Sequence, residues 1–363
     1  MKYIDEFRDP VLARKLLTHI ESRSTRPVRL MEFCGGHTHA IMRYGLRTLL
    51  PPTVDLRSGP GCPVCVTSNA DLDRAIALAG VPGLILATFG DMVRVPGSVQ
   101  SLQHAKAAGA DVRMVYSTLD ALKIARDNPA RPVVFLGVGF ETTAPTVAAA
   151  ILQAAAQGLG NFSVLSLHKL TPPATRAILD AGEIALDGII GPGHVTTVIG
   201  ADAWQFLPAE YGMPVAVAGF EPLDILRAVA DLVNMAEDRH PAVSNSYARS
   251  VTRQGNPAAI EVMDRVFEVG TADWRGLGVV PASGLGLRPE FVQFDAIHLF
   301  DVDPGPTREH KGCRCGDVLR GTITPPECPL FGRACTPARP IGPCMVSAEG
   351  ACAAYYQFGR DLP

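Results

Sequence analysis

Val28-Arg29-Leu30-Met31-Glu32-Phe33-Cys34 runs straight into Gly35-Gly36-His37-Thr38-His39. A short apolar run ended by two glycines reads as a buried strand that turns at once into the next element. The pattern recurs along the chain. VDLRS (54–58) precedes GPGCPVC (59–65), and PVVFLGVGF (132–140) precedes Glu141-Thr142-Thr143. GLILATFG (83–90), VRMVYS (112–117), FSVLSLH (162–168), GIIGPG (188–193) and PVAVAGF (214–220) complete the series. Helical stretches lie between these runs; SNADLDRAIALAG, for example, opens on a Ser68/Asp71 capping box. Short buried strands alternating with helices predict parallel βαβ units.

The expected fold is therefore α/β, with two doubly wound parallel-sheet (Rossmann-like) domains at 26–117 and 118–238. After the helix near 221–237 the alternation stops, and 245–300 reads as helices and loops. Residues 1–25 and 239–363 are expected to form a third, mainly helical and loop domain. In it, the amphipathic helix from Asp9-Pro10 to about Glu21 would pack on the C-terminal region.

Lys and Arg total 33 against 36 Asp and Glu, a net charge of −3, with 47% hydrophobic and 19% charged residues. That balance is globular and carries no nucleic-acid footprint. The start, MKYIDEFRDPVLARKLL, has no signal-peptide apolar core, and no apolar run nears the roughly 18 residues of a membrane span. A cytoplasmic protein is expected. An odd number of cysteines there favours metal ligands and reactive thiols over a disulfide framework.

Six of the nine cysteines, Cys313, Cys315, Cys328, Cys335, Cys344 and Cys352, crowd a Gly- and Pro-rich end that cannot build much core of its own. Their spacing matches neither the paired cysteines of zinc ribbons nor the short bacterial ferredoxin run. Thiolates without histidine suit an iron–sulfur cluster, with structural zinc as the plainer reading. Spacing alone does not choose four of the six.

The remaining motifs fall at strand ends, where doubly wound sheets bind ligands. Cys34 and His37 could be nucleophile and base or two metal ligands, with a helix start favouring the thiolate. Cys62-Pro63-Val64-Cys65 resembles a thiol–disulfide exchange site. Gly139-Phe140-Glu141-Thr142-Thr143 lacks the third glycine of a dinucleotide fingerprint, so its acid and hydroxyls either cap a helix or face a cleft shared with Cys34. His168-Lys169, Gly191-Pro192-Gly193-His194 and Gly219-Phe220-Glu221-Pro222 stand at three further strand ends.

Taken together, CGGHTH (34–39), GPGCPVC (59–65), GFETT (139–143), GPGHV (191–195), GFEP (219–222) and CRCGDVLRG…GPCMVSAEGACAAYY resemble the HypD family of [NiFe]-hydrogenase maturation proteins across the whole chain. The resemblance implies an iron–sulfur domain whose [4Fe–4S] ligands, spaced Cys-x₁₄-Cys-x₆-Cys-x₁₆-Cys, are Cys313, Cys328, Cys335 and Cys352. It implies a redox pair in Cys315 and Cys344, passing electrons to Cys62 and Cys65. It also implies that Cys34 is a ligand of a transient mononuclear iron carrying CN and CO, with His37 ligating or shuttling protons. Glu141, Thr142, Thr143 and His194 would orient the incoming group. Partners implied are a HypC-type chaperone, HypE as cyanide donor and, indirectly, the hydrogenase large subunit. Two rival expectations are a cluster-dependent thiol–disulfide oxidoreductase and a zinc-stabilised, non-enzymatic binding module.

Overall fold

The computed structural model describes residues 4–359. Its strands, in chain order, are β1 (Val28–Glu32), β2 (Val54–Ser58), β3 (Ile85–Thr88), β4 (Asp111–Met114), β5 (Val133–Gly139) and β6 (Phe162–His168), then β7 (Gly188–Pro192), β8 (Val215–Ala218), β9 (Val243–Asn245), β10 (Phe267–Trp274) and β11 (Gly278–Leu287). The first eight are the strands expected from the apolar runs. They build two parallel sheets, ordered β2-β1-β7-β8-β9 and β4-β3-β5-β6, so the fold is mixed α/β as expected. Among the described residues no helix is long and apolar enough to cross a membrane.

The strands do not divide between 117 and 118. β1 pairs with β2 on one side (Leu30 with Leu56) and with β7 on the other (Leu30 with Gly188), so one sheet joins residues 28–58 to 188–245 and brackets the other. Local periodicity says that a strand is buried, not which strand lies beside it. Gly188 makes the long-range pairing close: a Cβ there would come within 3.0 Å of both Leu30 and Leu232.

The N-terminal helix, Pro10–Arg23, starts at Asp9, whose carboxylate accepts from the Val11 and Leu12 amides. It does not join the cysteine-rich end. Leu16, Leu17 and the fully buried Ile20 belong to the core of the first sheet, against the helix Pro222–Glu237. His19 and Arg23 both reach Asn234, and Thr25 donates to Glu237. An apolar helix face goes where a matching apolar surface lies, which here is the sheet and not the loops.

The region read as helices and loops contains an antiparallel hairpin, β10–β11. Its glycines resemble loop composition, but Gly276 (φ 82°) and Gly278 (φ 72°) make the turn. The hairpin tip lies between two cysteine-bearing segments. Arg275 donates its amide to the Val66 carbonyl (2.8 Å), while a Cβ on Gly276 would lie 2.7 Å from the Gly316 Cα.

In the first sheet the chain leaves β1 toward one edge and β7 toward the other. That makes the β1/β7 boundary a topological switch point, where the loops at the carboxyl ends part and leave a crevice. Cys34 follows β1 there, and His194 follows β7. In the second sheet the switch point lies between β3 and β5, and Glu141-Thr142-Thr143 follows β5.

Candidate functional site

Cys34 is the N-cap residue of the helix Gly35–Arg43. The two glycines after it are needed for close approach. A Cβ on Gly35 would lie 2.5 Å from the Glu349 carbonyl oxygen, and one on Gly36 would lie 2.9 Å from the Phe220 ring. Glu349 is thus brought in from the cysteine-rich end, 315 positions away in the chain (349 − 34). The amides of Gly36 and His37 point at the Cys34 sulfur, yet burial, then the charges of Glu349 and Glu32, push its thiol up to about 12. The helix start and its two amides favour a thiolate there, while burial and the two acids oppose it. A soft metal ion would have to displace that proton.

Glu32, the last residue of β1, is buried. It accepts from the Cys34 amide (2.9 Å) and from the Thr38 hydroxyl, and burial raises it to about 8. His37 is fully buried. Its Nε2 donates to the carbonyls of Ala218 and Gly219 (both 3.1 Å), which leaves Nδ1 as a buried lone pair with no protein partner. Burial lowers His37 to about 4, so the ring is neutral. Phe220 stacks on His37 (centroids 4.8 Å apart) and on His194 (3.8 Å). Cys34, His37 and His194 are therefore assembled at one switch point, by way of Phe220.

Cys62 and Cys65 form a disulfide, buried at the start of the short helix Pro63–Val66. Its turn interlocks with that of Cys34, because the Gly35 amide donates to the Gly61 carbonyl (2.9 Å). The same short helix packs against the turn Pro343–Met345, which carries Cys344.

All six C-terminal cysteines line one small cavity with Val318, Leu330, Phe331, Gly342 and Met345. The Cys315 and Cys344 sulfurs are 2.7 Å apart. Among the described residues no three His, Cys, Asp or Glu side chains converge as on a single ion. A cluster asks for something else, since its thiolates bind separate iron atoms at its corners. The donor set fits such a group: the lining holds six cysteine sulfurs, otherwise apolar walls with one guanidinium, Arg314, and neither carboxylate nor imidazole. Gly342 also keeps the space open, since a Cβ there would sit 2.6 Å from the Cys313 sulfur. Burial, then the neighbouring sulfurs, push the Cys313 thiol up to about 12, and metal binding would release that proton.

The β5 motif stands apart. Glu141 is buried and accepts from the Thr171 amide (2.8 Å) and hydroxyl, holding the first turn of the helix Thr171–Ala181. Thr143 bonds back to the Phe140 carbonyl, and Thr142 is exposed. The side-chain partners of Glu141 and Thr143, Thr171 and Phe140, lie on the segments that follow β6 and β5. Asp71, expected to complete a capping box, contributes only its amide to Ser68; its carboxylate faces the buried Lys169 (3.4 Å).

Three residues beside the site escaped the sequence reading: Glu32, Phe220 as the stacking ring, and Glu349. A charge inside an apolar strand was a visible signal for Glu32. Phe220 and Glu349 stand in stretches the sequence singles out (GFEP and GPCMVSAEG), but their approach to His37 and Cys34 joins distant segments, which no local signal marks.

The chain matches the HypD family model, described as the Hydrogenase formation hypA family, over residues 11–359. It is 52% identical to the hydrogenase maturation factor HypD of Azotobacter vinelandii over 370 aligned residues, covering 99% of this chain and 98% of that protein. It is 49% identical to HypD of Cupriavidus necator (100% and 99% covered) and 46% identical to HypD of Escherichia coli (99% of both).

Proposed function

The chain belongs to the HypD hydrogenase-formation family and acts in hydrogenase maturation; from this we propose a redox-active scaffold that holds iron during ligand attachment. Mononuclear iron is the cargo, held by Cys34 together with a cysteine of a HypC-type chaperone. Cyanide comes from HypE, and carbon monoxide completes the Fe(CN)2CO group destined for the hydrogenase large subunit. The Cys34 proton must leave when the sulfur binds. Glu32, raised by burial to about 8, is suited to exchange it near neutral pH, and burial shifts Glu349 in the same direction. His37 offers the Nδ1 lone pair as an acceptor, and the Phe220 ring stacks on both His37 and the exposed His194.

Cys313, Cys328, Cys335 and Cys352 would hold a [4Fe–4S] cluster, which when bound supplies single electrons. Releasing cyanide from a thiocyanate breaks the S–C bond, consumes two electrons and leaves a thiolate. Two electrons and two protons leaving a Cys315/Cys344 dithiol convert the Cys62–Cys65 disulfide to two thiols, next to Cys34.

The observation that carries this reading is physical continuity. Cys344 lies beside Cys315, its turn touches the Cys62–Cys65 helix, and that helix follows the turn interlocked with Cys34. The test is anaerobic purification with iron and sulfide analysis and infrared spectroscopy of the complex with the chaperone. About four iron and four sulfide per chain, with cyanide and carbonyl bands, are expected. Zinc without sulfide would overturn the cluster, and bands that persist without Cys34 would overturn its role as iron ligand.

A further inference from the structure

Beside the six-cysteine cavity lies a second cleft, about 240 Å³, lined by Asn69, Ser98, Arg275, Arg308, His310 and Cys315 among others. It shares Cys313, Cys315 and Gly342 with the cavity, but Cys344 lines only the cavity. The pair is therefore asymmetric: Cys315 faces both spaces and Cys344 faces inward.

The cleft floor is built around a buried cation. Arg275 is 6% exposed, donating through Nε to the Thr67 carbonyl (3.1 Å) and through Nη2 to Asn69 Oδ1 (2.5 Å). Its acidic partner among the described residues is Glu309, at 3.3 Å, whose side chain is 63% exposed. The backbone fixes the rim: Asn69 donates to the Arg308 carbonyl, and the Arg308 amide donates to Ser98. A buried guanidinium partnered by one solvated carboxylate favours a second, anionic occupant.

We propose that this cleft binds a small anionic thiol, which reduces a Cys315–Cys344 disulfide from the solvent side. The proposal rests on the reading of Cys315 and Cys344 as a redox pair, and it names their reductant by class. The incoming thiolate attacks the Cys315 sulfur, forming a mixed disulfide and expelling the Cys344 thiolate, which takes a proton. A second thiolate attacks the external sulfur of that mixed disulfide and releases Cys315. Two small thiols thereby become one small disulfide, and their two electrons and two protons rest on Cys315 and Cys344.

The experiment uses full-length protein purified anaerobically with its iron, mildly oxidised, then treated with 2-mercaptoethanesulfonate, 2-mercaptoethanol or cysteamine. Rates are compared per thiolate, and adducts are located by peptide mass. The anionic thiol is expected to outpace the cationic one about tenfold, with the advantage shrinking as salt rises. Its adduct is expected on Cys315. Arg308→Gln, an exposed rim change, should reduce the preference, and Glu309→Gln should increase it. Equal rates for the three thiols, or an adduct on Cys344 in place of Cys315, would overturn the cleft as the port while leaving the redox pair standing. Failure of Cys315 and Cys344 to form a disulfide at all would overturn both.

Discussion

Gly61 lies directly against the backbone of Cys34: a Cβ on Gly61 would sit 2.5 Å from the Cys34 Cα. The strand-end turns of β1 and β2 are thereby a single unit, which positions the lone thiol and the Cys62–Cys65 disulfide together. Replacing Gly61 by Ala must push the two turns apart. A loss of about 1–3 kcal/mol in denaturant unfolding is expected. Gly160→Ala, with nothing within 4 Å of the added carbon, is the control and should change stability little.

The Cys34 thiol is pushed up to about 12, chiefly by burial and then by Glu349. Alkylation of metal-free Cys34 by iodoacetamide at pH 8 should therefore be much slower than that of an unperturbed cysteine, and Glu349→Gln should speed it. In the complex with the chaperone, Cys34→Ala should keep the iron–sulfur absorption and lose the cyanide and carbonyl infrared bands.

Cys328 and Cys344 line the same cavity, but they are expected to differ in role. Cys328→Ala should lose iron and sulfide and melt at lower temperature, because cluster binding contributes to folding. Cys344→Ala should keep its iron and lose only the capacity to form a disulfide with Cys315. Undiminished iron and sulfide in Cys328→Ala would show that a different four cysteines bind the cluster.

Glu141 titrates at about 7 in the folded chain against an ordinary value of 4.5, because burial outweighs its bonds to Thr171. Between those values the unfolded chain has lost a proton that the folded chain keeps, so this group's stabilisation falls as pH rises from about 4.5 through about 7. Melting curves should show the native protein losing stability relative to Glu141→Gln across that window. A constant difference between the two would mean that Glu141 does not titrate there.

Much of the fold was legible locally. Runs such as VRLMEFC and PVVFLGVGF carry their own burial pattern, and each parallel strand must be followed by a crossover. The β10–β11 hairpin was not legible, because its glycines serve a turn and close contacts while matching loop composition. Nor was the discontinuous sheet, since nothing in β1 names β7 as its neighbour. In the candidate site, the cysteines and histidines could be found by type and spacing. Glu349 could not, because it reaches Cys34 only through the packing of the last helix and its preceding loop.

The sequence by itself determined the class of the fold, the strand ends where chemistry gathers, and the family. These depend on side-chain periodicity and on residue identities that do not change with folding. Tertiary structure alone decided that Cys34 sits half-buried between Glu32 and Glu349, and that His37 is neutral with a free Nδ1. It also decided that the helix of Cys62 and Cys65 lies against the segment of Cys344. The reason is physical: protonation states and sulfur neighbours depend on desolvation and on distances between remote segments, and the local sequence holds neither.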